Sequence, residues 1–594
     1  MSTILELKGI GKEWNGQMIF SDVNLEVSFG ERIALIGKNG VGKTTLLSII
    51  LGRVNYDLGT VNRFLPLPEF GYLEQELQTH SQINLIDFVK AGIETQELNE
   101  NIGHTHASNS ARVYKHLKRI GLPENVWDIP YCKLSGGQKT KAQLIRLVLQ
   151  QPKLLILDEP TNHLDLKSLL WLENWLCRYP GTVLFVSHDR NFIDQVATST
   201  IVLKREGTKR YAGGYSTYKD QLSLELKTKQ ALYEKQHKER QKLLDSIKTY
   251  QTWFEEKSRQ GEKKELRSRL AHRKFTQKKL RNRMRAKEQE LNRLESRIID
   301  PPTEEPTFQL NLDAPQQYMK TLLRLENVSF GYTSDYLFSD VELEVRRGER
   351  IAVIGENGTG KTTLLKLLAG NLPASKGEVK YHPSLHIGFL DQELTNLNMN
   401  QPVIDTILEF SKMSIQRAQD VLSSYMFGPN DWSKLVGNLS MGERCRLSLL
   451  QMVLSEANLL ILDEPTNYLD VQSREEVETC LQDYPGTLIF VSHDRYFLRK
   501  IANRVLTITD SRIQKYLGTY EEWVHHSNVR KKGLDTEVEN RIRQLEFRLS
   551  QMMAKPTHKF GSFSRNADNN NILREIREVQ EEIAQLRDFG KGKT

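Results

Sequence analysis

The sequence predicts an α/β protein: two domains of one kind in tandem, joined by a long helical hairpin and followed by a C-terminal coiled-coil hairpin. Three observations predict it. One set of motifs occurs twice in the same order. Within each copy, strand-like runs such as "RIALIG" and "LLILD" alternate with helical stretches opened by glycine-rich or polar turns, the pattern of a mostly parallel sheet. Outside the copies, apolar residues recur at helical spacing.

The duplication is explicit. "GERIALIGKNGVGKTTLL" (30–47) returns as "GERIAVIGENGTGKTTLL" (348–365) at an offset of 318. "GYLEQE" returns as "GFLDQE" at 317, whereas "LSGGQK", "LILDEPTN" and "FVSHDR" all return at 305, as "LSMGER", "LILDEPTN" and "FVSHDR". The copies are therefore colinear, with 12 extra residues between Gln75 and Ser135 of the first. At 594 residues the chain exceeds what one core organises. The expected parts are a first domain at 1–215, a linker at 216–305, a second domain at 306–517 and an extension at 518–594.

Composition narrows the setting. Charged residues make up 27% and the mean hydropathy is −0.51, as in a soluble protein. No apolar run approaches the ~18–20 residues a membrane span needs. The opening "MSTILELKGIGKEW" has no basic flank leading into an apolar run, so no secretory signal is read there. Cys132, Cys177, Cys445 and Cys480 show neither metal spacing nor a paired framework, so reduced thiols in the cytoplasm are expected.

The chemistry starts at the glycine-rich turns. Gly37, Lys38, Asn39, Gly40, Val41, Gly42, Lys43, Thr44 and Thr45 fit a phosphate-binding loop between strand and helix. So do Gly355, Glu356, Asn357, Gly358, Thr359, Gly360, Lys361, Thr362 and Thr363. Glycines let backbone N–H groups close on phosphate oxygens at a helix N-terminus. Lys43 and Lys361 are placed to reach the β- and γ-phosphates of ATP, and Thr44 and Thr362 to ligate Mg²⁺. Two matches in the same motif order exclude a chance turn. Each later apolar strand ends in two acids. Asp158 and Asp463 are assigned to the metal, and Glu159 and Glu464 to the water that attacks the γ-phosphate.

These motifs, with "LSGGQK", "LSMGER" and the histidine of "VSHD", resemble a pair of ATP-binding cassettes over about 420 of the 594 residues. The resemblance implies two tandem ABC ATPase domains closing as a head-to-tail sandwich within one monomer. Ser135, Gly136, Gly137 and Gln138 would close on the ATP held at Lys361, and Ser440, Met441, Gly442 and Glu443 on the ATP at Lys43. It assigns Gln75 and Gln392 to the metal and attacking water, and His188 and His493 to the γ-phosphate. Asp165 and Asp470 fall where such cassettes cross their interface. Trp14 and Tyr332, each 23 residues before the first loop glycine, are expected to stack on adenine. The second copy departs at Met441, at Glu443 in place of Gln138, and at Tyr468 in place of His163, so unequal site rates are open; both copies keep the full catalytic set.

The linker holds the excess charge. Residues 216–300 carry 24 Lys and Arg against 13 Asp and Glu, a net of +11 in a chain whose total is +8, leaving −3 elsewhere. Ile247, Tyr250 and Phe254 follow helical spacing, as do Leu280, Met284, Leu291, Leu294 and Ile298. The expected hairpin has a first helix over 216–254, turns near Gly261 and stops at "PPTEEP" (301–306). Residues 257–287 hold 14 basic and two acidic residues, more than solubility requires. The expected RNA contacts are Trp253, Phe254, Lys257, Arg259, Lys263, Lys264, Arg267, Arg269, Arg281, Arg283 and Arg285. A solvated, self-packed strut is the alternative. In the tail, Val538, Ile542, Leu545, Leu549 and Met552, then Ile572, Ile576, Val579, Ile583 and Leu586, step by four and three, a heptad seam.

Paired cassettes, a basic hairpin between them and no membrane segment together resemble the ABC-F family. The long linker, the C-terminal extension and the short insertion before the first signature resemble its antibiotic-resistance, ribosome-protection type, and the chain is similar to virginiamycin M–lincomycin resistance proteins. That resemblance implies binding at the ribosomal tRNA exit site, with the hairpin directed towards ribosomal RNA and peptidyl-tRNA. A housekeeping translation or assembly factor, a DNA-associated ATPase and a transporter's cytosolic subunit stay open as other functions.

Overall fold

The structure is a computed structural model. It describes residues 2–530 and 544–545, except 75–82, 101–105, 163, 260–266, 298–319, 333–335, 392–393, 395–396, 412, 426, 456, 468 and 510. Two compact units result, one of residues 1–214 with 307–594, the other of residues 215–306.

Each copy of the repeat builds one six-stranded sheet. In the first, the order is Phe70–Leu73, Leu154–Asp158, Thr182–Val186, Arg32–Ile36, Ser199–Lys204 and Gly207–Ala212. All neighbours run parallel except the last pair. The second sheet repeats this order with Ile387–Leu390, Leu459–Asp463, Thr487–Val491, Arg350–Gly355, Arg504–Thr509 and Arg512–Leu517. Every residue of Leu154–Asp158 and Leu459–Asp463 is buried. Burial on both faces explains their unbroken apolar sequence, because parallel strands are covered on each side. The acids at their ends are thereby carried to the sheet's carboxyl edge, where open α/β sheets bind ligands.

A second, antiparallel sheet in each copy was not anticipated from the sequence. It consists of Gln17–Ser28, Thr3–Trp14 and Leu58–Arg63 in one copy, and Phe338–Arg346, Thr321–Phe330 and Lys376–Tyr381 in the other. Its residues Leu5, Leu7, Ile10, Phe20, Val23 and Leu25 join the phosphate-loop helix Lys43–Ile50 in one core. Strands so frequently broken by bulges blur the alternation that would have revealed them.

The extra residues of the first copy lengthen its helices. Leu85–Glu100 spans 16 residues where Val403–Ser411 spans nine, and His106–Arg119 spans 14 where Ile415–Ser424 spans ten.

The unit at 215–306 is a helical hairpin of Tyr215–Arg259 (45 residues) and Arg267–Glu295 (29 residues). Arg240 Nε donates to Glu295 Oε1 at 3.0 Å and Gln236 Nε2 to the Arg297 carbonyl at 3.1 Å, so the helices run antiparallel. Ile247 is buried, and Tyr250, Met284, Leu291 and Leu294 half-buried, along the expected seam, which the buried Leu243 extends. The first helix extends past residue 254, because "EEKSR" contains no breaker. The turn near Gly261 and the stop at 301–306 lie outside the described residues. So does the tail's heptad seam, apart from the buried Leu545; before it, Tyr520–Arg530 is a helix.

Candidate nucleotide sites

The phosphate loops follow the fourth strand of each sheet and open the helices Lys43–Ile50 and Lys361–Leu368. Their caps, Gly42 and Gly360, sit at φ 95° and 93°. A Cβ on Gly42 would meet Ile19 Cγ2 at 2.7 Å, and one on Gly360 would meet Leu337 Cδ2 at 2.4 Å. Both positions therefore require glycine on two counts. At Gly40 and Gly358, by contrast, φ is also positive but a Cβ would meet nothing within 4 Å. The loop packs tightly beneath and lies open above, the form of a phosphate cradle. Lys43 Nζ donates to the carbonyls of Gly37 and Lys38 at 2.9 and 3.2 Å, and Lys361 Nζ to those of Gly355 and Glu356 at 2.9 and 3.0 Å. Burial lowers the pKa of both lysines, opposed by Glu159 and Glu464 respectively.

Sheet order aligns the acids and histidines with these loops. The strands Thr182–Val186 and Thr487–Val491 lie between each phosphate-loop strand and each Asp-Glu strand, and His188 and His493 follow them. His188 Nε2 lies 3.1 Å from Glu159 Oε1, and His493 Nε2 lies 3.5 Å from Glu464 Oε1. Glu159 and Glu464 adopt φ 51° and 50°, uncommon for a side-chain-bearing residue. Their N–H groups donate to the Val186 and Val491 carbonyls at 3.0 Å, fixing the turn. Burial pushes both carboxyls up to about 7. It also pushes Asp463 up to about 6, although the Thr362 hydroxyl donates to Asp463 Oδ2 at 2.7 Å. Burial raises Asp158 as well, with the Thr44 hydroxyl and Lys43 opposing; both of its oxygens are buried without a donor in hydrogen-bond geometry.

The signatures begin the helices Gly136–Gln150 and Met441–Leu454. Ser135 caps the first, accepting from the Gln138 N–H at 3.4 Å while Gln138 Oε1 accepts from the Ser135 N–H at 3.0 Å. Ser440 and Glu443 reproduce this box at 3.3 and 2.7 Å, with the Ser440 hydroxyl also donating to Glu443 at 2.8 Å. The departure at Glu443 thus preserves the local turn. Gly136, Gly137, Met441 and Gly442 form the first turns of these helices.

Contacts between the copies are direct. Asp470 Oδ2 accepts from the Asn39 N–H at 3.1 Å, bringing the second copy onto the first phosphate loop. Asp470 also caps Val471–Asp483, and Asp165 caps Leu166–Cys177 while pairing with the buried Lys141 at 2.9 Å. Leu166, Lys361 and His493 line one cavity. Trp14 and Tyr332 are exposed, and the Tyr332 hydroxyl lies 3.3 Å from Thr363 Oγ1, beside the second loop. Gln75, Gln392, His163 and Tyr468 lie outside the described residues.

Sequence reasoning overlooked Arg190 and Arg495. Each forms a two-pronged ion pair with the other copy, Arg190 with Glu478 and Arg495 with Glu173. The signal was present: "SHDR" occurs in both copies, and the two glutamates share the 305 offset.

On the hairpin, Arg281, Arg283 and Arg285 are exposed. Trp253 is half-exposed and meets Tyr250 edge-on at 5.9 Å. Lys257, Arg259, Arg267 and Arg269 lie on its helices, whereas Lys263 and Lys264 lie outside the described residues, as does the Phe254 side chain.

Fold and sites together define a tandem ATP-binding-cassette ATPase. The ABC transporter family model matches residues 20–162 and 338–467. The ATP-binding protein YdiF of Bacillus subtilis is 34% identical over 87% of this chain and 82% of its own length. The ribosome protection protein VmlR of the same organism is 33% identical over 92% and 94%. ABC transporter F family member 5 of Arabidopsis thaliana is 30% identical over 91% and 80%. The chain belongs to the ABC-F family. Among the described residues, no helix is long and apolar enough to cross a membrane.

Proposed function

We propose that this ATPase is a cytoplasmic ribosome-binding factor that protects the peptidyl-transferase centre from antibiotics. In this reading, ATP closes the cassettes, and the hairpin enters from the tRNA exit site towards peptidyl-tRNA and contacts ribosomal RNA. Glu159 and Glu464 act as bases, with His188 and His493 at the γ-phosphate. Mg²⁺ fits the residues present: the buried oxygens of Asp158, which accept no hydrogen bond of normal geometry, suit a cation, and Thr44 with Asp158, or Thr362 with Asp463, offers the few oxygens an ion needs when phosphates and water supply the rest. Gln75 and Gln392, by the family resemblance, would complete that set. When bound, the ion would neutralise charge on the transferred phosphoryl group.

The observation that carries the ribosomal part is the hairpin: exposed Arg281, Arg283 and Arg285 on a helix remote in sequence from both sites. Phosphate neutralisation would supply its affinity. Support also comes from the similarity to a relative named for ribosome protection. The test is growth of a drug-sensitive host, with and without this gene, across ribosome-targeting antibiotics, alongside co-sedimentation with ribosomes in ATP. Raised tolerance to at least one drug with ribosome association supports the reading. Ribosome association without tolerance would assign a housekeeping translation role. Association with DNA or membranes instead would overturn it.

A further inference from the structure

Arg190 and Arg495 lie outside the nucleotide-handling set, yet among the described residues they form the most deeply buried polar link between the cassettes. Arg190 Nη1 donates to Glu478 Oε2 at 3.2 Å, and Nη2 donates to Oε1. Arg495 Nη1 donates to Glu173 Oε2 at 3.1 Å, again with Nη2 on Oε1. All four residues are buried, at 4%, 2%, 6% and 6% exposure for Arg190, Glu478, Arg495 and Glu173. The pairs are reciprocal, the same contact made twice by equivalent surfaces, as in a two-fold dimer.

Their placement links them to hydrolysis. Arg190 and Arg495 stand two residues after His188 and His493. The intervening turn is rigid: the Asp189 N–H donates to Ser187 Oγ at 3.0 Å, and Asp189 Oδ1 accepts from the Phe192 N–H at 3.0 Å. Asp494 repeats this with Ser492, Tyr496 and Phe497 at 3.0, 2.9 and 3.2 Å. A displacement of either arginine is thus passed to its histidine with little slack. The partner Glu478 lies on Val471–Asp483, the helix whose cap, Asp470, holds the Asn39 N–H of the first phosphate loop. One helix of the second cassette therefore grips the first site at two places about 12 Å apart along its axis.

We propose that Arg190 and Arg495 are positioning residues for ATP hydrolysis, each tying the histidine turn of its own site to a helix of the opposite cassette, so that closure sets the His188–Glu159 and His493–Glu464 geometry. In this role each arginine acts through the histidine turn, not on the reacting atoms. A buried, two-pronged Arg–carboxylate pair suits this task because it fixes direction as well as distance. Nearby charges complete the arrangement: Asp494 Oδ2 stands 3.7 Å from Arg190 Nη2 and 3.6 Å from Arg474 Nη1.

The inference rests on Glu159 and Glu464 being the hydrolytic bases, which the double Glu→Gln chain tests separately. The experiment compares full-length Arg190→Ala, Glu478→Ala and the exchanged pair Arg190→Glu/Glu478→Arg by steady-state ATPase kinetics and thermal melting. Each single variant is expected to lose about tenfold in kcat with KM within about twofold, and the exchange to recover most of that loss. Recovery of Tm without recovery of kcat would reduce the pair to adhesive, overturning the proposal. So would a folded single variant with wild-type kcat. Should charge exchange prevent folding, Arg190→Lys decides, since it keeps the charge and loses the fork. A fall in kcat at unchanged Tm supports positioning; wild-type kcat overturns it. A double Glu→Gln chain that still hydrolyses ATP would sink the base assignment instead.

Discussion

His188 Nε2 and Glu159 Oε1 lie 3.1 Å apart, and burial drives their proton affinities in opposite directions. The carboxyl rises to about 7 while the imidazole falls well below its usual 6.5. The second site repeats this, with Glu464 at about 7 and His493 at about 4. At neutral pH the histidines are therefore uncharged, and the acids stand near half-ionisation. Two groups pushed apart in this way take separate acid–base roles.

A pH dependence follows. A base must be ionised to act, so kcat/KM for ATP at saturating magnesium should rise through a pH of about 7. The histidines, already neutral, should add no ascending limb in that range. A profile flat from pH 6 to 8 would contradict the burial-raised carboxyls.

Replacing Glu159 and Glu464 together by Gln should abolish most turnover while ATP binding persists, leaving the cassettes closed on nucleotide and the chain on ribosomes. Stability supplies a second readout. A carboxyl raised from 4.5 to about 7 favours the fold below 4.5, and that contribution is lost as pH rises through 7. Neutral Gln avoids the loss, so the variant's Tm advantage should be larger at pH 8 than at pH 5. Unchanged ATP turnover would remove the base role.

Much of this site was legible in the sequence, because its chemistry depends on local spacing. The glycines with Lys43, and Asp158 with Glu159, each occupy fixed offsets within their own strand–turn–helix unit. The repeat marked Arg190 and Glu478 one by one, but their pairing was not legible, since they are 288 residues apart and meet only when two helices pack. The antiparallel sheets were missed for the related reason that bulges disturb their alternation. Glu443 misled in the opposite direction. It reads as a departure from the signature, yet it makes the capping contact that Gln138 makes.

That capping contact is testable. Glu443→Gln keeps an acceptor for the Ser440 N–H and should leave Tm close to wild type. Glu443→Ala removes it and should cost about 1 kcal/mol. Equal stability of the two variants in thermal melting would show that the box contributes nothing.

Gly42→Ala tests the phosphate loop from below. At φ 95° a Cβ is strained, and here it would also press on Ile19 and Phe20. About 1–3 kcal/mol of destabilisation is expected from backbone strain alone. Nucleotide affinity at the first site should fall further, because relief of the clash displaces the loop N–H groups. Gly40→Ala is the control: its φ of 77° is strained too, but its Cβ meets nothing within 4 Å. Similar Tm values with the nucleotide loss confined to Gly40→Ala would reverse the assignment of packed and open sides.

The hairpin prediction separates RNA contact from a solvated strut. Arg281, Arg283 and Arg285 are exposed, whereas Leu243 and Ile247 are buried. Reversing all three charges should therefore leave folding and nucleotide affinity unchanged. Ribosome binding should weaken, and its log–log salt slope should flatten by about 0.7–0.9 for each phosphate that is no longer neutralised. Deleting residues 258–262 probes the other half of the idea. That deletion should keep ATPase activity and ribosome binding, since the cassettes and the helix arginines remain, while drug protection disappears. Full protection at equal expression would move the biological effect from the hairpin to the cassettes or the tail. An unaltered salt slope in the triple variant would leave the arginines as a solvated face.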